Sequence, residues 1–130
     1  MHTEAITSHH LIDILPWWEA RDEGSIPVWL LPRLGFVAVD EAGPCAAGWL
    51  TVFEGVAAGQ IDWLIGRPGL APAQAREACQ SVYVALEEAA RELGLRMLFA
   101  SACRPAMARE ARGCGFSITA REVIHLAKAI

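Results

Sequence analysis

Apolar residues recur along this chain with two different periods, and each period marks a different kind of element. Between 74 and 93, Ala75, Ala78, Cys79, Val82, Leu86, Ala89, Ala90 and Leu93 return at steps of three and four. Gln74, Arg76, Glu77, Glu87, Glu88, Arg91 and Glu92 fall mostly between them. That spacing predicts one long helix with a buried stripe. Pro72 suits a first helical turn and Gly94 a C-terminal cap, so the helix is expected over 71–93. Upstream, β-rich apolar runs at 36–40, 46–54 and 60–65 are separated by a Gly-Pro turn at 41–44 and a glycine-bounded loop at 55–59. They predict a hairpin and a third strand in one antiparallel meander.

The remaining segments are shorter. Thr7 or Ser8 can cap a first helix that runs to Leu15, and Pro16 restarts it through Trp17, Trp18, Glu19 and Arg21 until Gly24. The stretch 26–32 has proline near each end and reads as a short helical turn or packed loop. After the long helix, 95–101 is a strand that should lie parallel to the strand before it, as in a crossover unit. A short helix at 105–112 and two brief strands at 116–118 and 123–128 complete the pattern. The expected architecture is one α/β domain over residues 1–130, a mixed and mostly antiparallel sheet with helices on both faces.

Composition narrows the function. The chain has 130 residues, 54% hydrophobic and 20% charged, with a formal net charge of −4. Such a chain builds one packed core, and it lacks the positive excess needed to neutralise a nucleic-acid backbone. No nucleic-acid partner is expected, and the cluster of Arg104, Arg109, Arg112 and Arg121 reads as a solvated helix face. No apolar run reaches membrane-spanning length, and the first residues lack a basic signal-peptide start, so no membrane is expected and the protein is read as cytoplasmic. Cys45, Cys79, Cys103 and Cys114 are far apart, without zinc-ligand spacing. They read as buried thiols, and no metal is expected. Thiol chemistry at Cys103 or Cys114 would need a partner base and a lowered pKa.

The segment Ala90-Arg91-Glu92-Leu93-Gly94-Leu95, followed by a strand, a short helix and Gly115-Phe116, together with the upstream meander, resembles the GNAT (GCN5-related N-acetyltransferase) superfamily. The resemblance implies that acetyl-CoA or another acyl-CoA is a substrate, with its pyrophosphate at the front of the long helix. Members carry a Q/R-x-x-G-x-G/A loop there. Counted back from Gly94, the matching residues are Gln74 to Cys79, where Glu77 and Cys79 replace the glycines. The alternative register is Gly66-Arg67-Pro68-Gly69-Leu70-Ala71, with Arg67 supplying charge. The candidates for holding the acyl-CoA are therefore Leu64, Ile65, Gly66, Arg67, Gly69, Gln74 and Arg76. The family's tyrosine acid and its asparagine correspond here to Ala111 and Arg104. Tyr83, mid-helix, reads as a packing residue.

Amine acylation needs a group to take the ammonium proton. Glu54 and Asp62 on the meander strands, and His125 on the last strand, are the candidates, with His9 and His10 on the first helix as further cleft-lining imidazoles. Two functions stay open. One is an acyl-CoA-dependent N-acyltransferase acting on a small-molecule or peptide amine. The other is a catalytically inactive GNAT-like domain used as a binding or structural module. A homodimer is compatible with either.

Overall fold

The computed structural model describes residues 1–102 and 104–130. A five-stranded sheet runs in the order β1 (His2–Ala5), β2 (Leu34–Asp40), β3 (Gly43–Val52), β4 (Ala58–Gly66) and β5 (Met97–Ala100). The first three pairings are antiparallel and β4 to β5 is parallel, as the helical crossover between β4 and β5 requires. Helices α1 (Ser8–Ile14) and α2 (Pro16–Glu19) cover one face. Helices α3 (Pro72–Glu92) and α4 (Pro105–Gly113) cover the other. Among the described residues no helix is long and apolar enough to cross a membrane.

Alternation along the strands divides the core into two layers. Ala38, Cys45, Ala46, Leu50 and Ile61 meet Ala78, Val82, Tyr83, Leu86 and Ala90 of α3. Val37, Ala47, Trp49 and Ile65 point the other way, against Ile14, Trp17 and Trp18. Two glycines let these layers close. A Cβ on Gly35 would stand 2.5 Å from Trp49 Cδ1, and one on Gly48 would stand 3.0 Å from Val82 Cγ1.

Two expectations are corrected. The chain begins with a strand, not a helix. Thr3 is half-buried while its three strand neighbours are exposed, so β1 carries no apolar alternation and is held by pairing with β2. The two terminal strands do not form: residues 116–130 carry no strand, and Ile124 and Leu126 are 83% and 90% exposed. Strand propensity there is not matched by a partner, and propensity follows packing context. The segment 26–32 contains a short 3-10 turn, Val28–Leu30.

Candidate functional site

The site begins where β4 and β5 part. Their pairing spans only Ala58↔Met97 to Ile61↔Ala100, so β4 beyond Ile61 has no strand on that side. A bulge falls in the same stretch. Ala47 faces Ile65 and Trp49 faces Asp62, which leaves Gly48 opposite both Trp63 and Leu64. Trp63 adopts φ +60° to make the bulge. That left-handed conformation is costly for a bulky side chain, and such strain collects at functional sites.

Behind this splay lies a groove of about 560 Å³ that reaches both faces of the sheet. On the α3/α4 side it is walled by Leu64, Pro72, Ala75, Arg76, Cys79, Tyr83, Arg109 and Glu110. On the other side stand Trp18, Arg21, Glu23, Ile26, Trp63 and Asp62. Asp62 is placed there by its pairing, since it lies opposite the inward-facing Trp49 and directly opposed residues share a face. Its Oδ1 accepts from Gln60 Nε2 at 2.9 Å and its Oδ2 from Thr51 Oγ1 at 3.4 Å. The carboxylate is thereby oriented and half-buried.

Most expected site residues come together here. Asp62, Leu64, Ile65, Gly66, Arg67, Gly69, Arg76 and His125 all line the groove. His125 does so from irregular chain and is exposed. Gln74 does not line it; its Oε1 turns back to the Ala71 amide at 3.4 Å. Glu54 lies in the exposed turn between β3 and β4, at the far end of β4 from Gly66. At strand rise that is on the order of 25 Å away. His9 is exposed outside the groove. His10 is held elsewhere, with its Nδ1 accepting from the Thr7 amide at 3.0 Å and its Nε2 on Glu4 Oε1 at 2.6 Å.

The two candidate segments at the helix front differ in backbone structure. Gln74 to Cys79 are the first turns of α3 and not a loop, because Ala75 N already donates to Ala71 O at 2.9 Å. The loop that feeds the helix is 67–71, with Gly69 at φ +83°. Ahead of the first helical bond the amides of Ala73 and Gln74 remain, and Pro72 has no N–H to offer. Arg67 donates to both Asp40 oxygens, at 3.2 and 2.9 Å, and to Pro44 O at 3.0 Å. Its charge is matched within the protein. Arg76 Nε stands 3.6 Å from Glu110 Oε1, and Glu110 Oε2 is buried without a hydrogen bond.

Several groove residues carry no site signal in the sequence, Arg21, Glu23 and Tyr83 among them, and Arg104 and Arg109, expected on a solvated helix face, line the groove instead. Arg21 and Glu23 lie just past α2, in a segment without periodicity. Tyr83 was assigned to packing, and its ring does pack on Phe116, with centroids 5.5 Å apart. It also borders the groove, and it shares a core cluster with Ala111. Burial first, then the charges of Cys79, Cys114 and Glu110, push its pKa up to about 12. Burial, followed by Glu110, likewise raises Cys79 to about 11. Cys114 is raised by burial and then by Glu110 and Glu87, the direction opposite to that of a nucleophilic thiol. Cys103 lies outside the described residues.

No family model matches the sequence, and no curated protein matches it. Solved structures do. The chain is similar to an acetyltransferase of Trypanosoma brucei, at 12% identity and TM-score 0.69, over 97% of this chain and 99% of that one. It is similar to a GNAT family acetyltransferase of Streptococcus pneumoniae, at 17% identity and TM-score 0.67, over 98% and 96%. It is also similar to an aminoglycoside N-acetyltransferase solved in complex with CoA, at 11% identity and TM-score 0.68, over 98% and 99%. Element order, the parted β4 and β5, and likeness over the full length of these enzymes agree: the chain has the GNAT acyl-CoA N-acyltransferase fold.

Proposed function

We propose that this protein is an acyl-CoA-dependent N-acyltransferase whose donor lies in the splay between β4 and β5 and whose acceptor amine enters from the α2 side. The observation that carries the reading is the unpaired edge of β4 beyond Ile61, opening on a groove that reaches both faces. Backbone amides and carbonyls without a strand partner suit the amide-rich pantetheine arm. The diphosphate would lie at the positive end of α3, whose Pro72, Ala75 and Arg76 line the groove, with Arg109 also in its wall. Bound there, an acyl-CoA supplies an activated thioester.

The chain's own residues then have distinct tasks. Trp18, Ile26 and Trp63 exclude water from the acceptor side. Asp62, fixed by Gln60 and Thr51, accepts the ammonium proton so that the amine carries a free lone pair. Asp62→Asn should lower acyl transfer by roughly 100-fold or more, the usual worth of a positioned base, while acyl-CoA affinity stays unchanged. Equal turnover in the variant would remove Asp62 from this role.

A second reading is favoured by the helix front. Glu77 and Cys79 are folded into α3, and Glu110 brings a carboxylate to the diphosphate end. On this reading the domain binds a ligand in the groove without turning it over. Release of free CoA thiol in the presence of an amine separates the two: the enzyme reading requires it and the module reading forbids it.

A further inference from the structure

The acceptor half of the groove holds one positive and one negative side chain, Arg21 and Asp62, that form no ion pair with any described residue. Two guanidinium groups, Arg21 and Arg104, line it, and burial first, then the charge of Arg104, lowers the Arg21 pKa. Of the two carboxylates there, Glu23 and Asp62, Glu23 is ion-paired with Arg104. Among the described residues the Arg21 guanidinium makes one hydrogen bond, from NH1 to Trp17 O at 3.3 Å, and no ion pair. A guanidinium has five donors and stays charged under all ordinary conditions. The unused donors of Arg21 are not enclosed, so the half-buried group is open to an anion carried by a ligand.

The neighbouring chemistry defines what that anion is attached to. Asp62, on the same side of the sheet, is matched by the Gln60 amide and the Thr51 hydroxyl, neither of which carries charge. It can take an ammonium. The same groove is lined by Trp18, Trp63 and Ile26, and Trp18 is backed by Trp49 with ring centroids 6.0 Å apart. A site offering one anion, one cation and aromatic walls fits a zwitterion with an apolar side chain.

We propose that the acceptor is an amino acid, or a close amino-carboxylate, with an apolar or aromatic side chain: its carboxylate on Arg21, its ammonium on Asp62 and its side chain against the two tryptophans. The proposal names the substrate class of the acyltransferase reading and rests on it, but the binding event it predicts needs no donor.

Calorimetry with the donor-free protein tests it using phenylalanine, 2-phenylethylamine and 3-phenylpropionate, which carry both charges, the cation alone and the anion alone. Phenylalanine should bind at least about ten-fold more tightly than either half-molecule, the scale of one charge-assisted contact. Arg21→Gln should abolish its advantage over 2-phenylethylamine. Arg21→Lys, which keeps the charge, should retain part of it, and Arg33→Gln, at an exposed position off the groove, all of it. Equal binding of phenylalanine and 2-phenylethylamine by the wild type, or an undiminished preference in Arg21→Gln, would overturn the proposal. A preference for phenylalanine without any acetyl-CoA binding would sink the acyltransferase reading and leave the amino-carboxylate site standing.

Discussion

Arg67 and Asp40 face each other fork to fork, NH1 to Oδ1 at 3.2 Å and NH2 to Oδ2 at 2.9 Å, and so tie the chain leaving β4 to the end of β2. The pair is part-exposed, and a third bond from Arg67 reaches Pro44 O at the start of β3. Bidentate geometry of this kind positions more than it stabilises. It fixes the loop that carries Gly69 into α3.

Arg67→Met should therefore lower the melting temperature by a few degrees at neutral pH and leave ligand affinity within about two-fold. The pH dependence carries a sign. The Asp40 carboxyl is held below its usual pKa by its bonds to Arg67, and also by the Ala42 amide. A depressed carboxylate stabilises the fold above its unfolded pKa, and that contribution is lost as pH falls through the folded value. The difference between wild type and variant should shrink below about pH 4. A deficit that persists there would show that Arg67 acts otherwise.

Tyr83 is the only tyrosine in the chain, so its ionisation can be followed without overlap. Its pKa of about 12 lies above the value of about 10 expected when unfolded. Between these limits the native state keeps a proton that the unfolded state loses. Stability should then fall by about 1.4 kcal/mol per pH unit as pH rises through the window. Phenolate absorbance should stay low near pH 10.5 and appear together with unfolding, in water at roughly constant ionic strength. A native-state titration centred near pH 10 would place the phenol in open water instead.

Gly35 is opposite Trp49 in the β2–β3 ladder, and its missing Cβ is what the indole occupies, with Cδ1 and Nε1 at 2.5 and 2.6 Å from where it would stand. Trp49 is 2% exposed and has no room to retreat. Gly35→Ala should cost about 1–3 kcal/mol, the range for overpacking a closed core, read by chemical denaturation. A neutral substitution would mean that the α1/α2 layer is looser than the contacts imply.

How much of this was legible in the sequence depends on which force wrote each element. The stripe of α3 and the runs of β2, β3 and β4 are dictated by burial, so their periods gave them away to within a few residues. The parallel return of β5 followed from connectivity alone. β1 carries little buried surface and is held by backbone bonds to β2, which leave no trace in side-chain pattern. At the tail the reverse holds: Val123, Ile124 and Leu126 have the composition of a strand but no neighbour to pair with.

The site divides along the same line. Asp62, Leu64, Ile65, Gly66, Arg67 and Gly69 could be placed near one another from sequence because they sit at the end of a readable strand, next to a readable helix. Arg21 and Glu23 were missed because only the tertiary fold brings the chain after α2 over the splay. Glu54 was nominated as a strand-end carboxylate. The strand ends at Val52, at the opposite end of β4 from the groove. Sequence gives the identity of a carboxylate but not the end of the sheet it occupies.

The central claim is that the opening between β4 and β5 seats an acyl-CoA, and titration calorimetry of the purified protein with acetyl-CoA and longer acyl-CoAs tests it most directly. The account predicts saturable binding of one molecule per chain, with a dissociation constant on the order of micromolar to submillimolar, and a matching rise in melting temperature. The absence of both binding heat and a thermal shift with every acyl-CoA at millimolar concentration would contradict it.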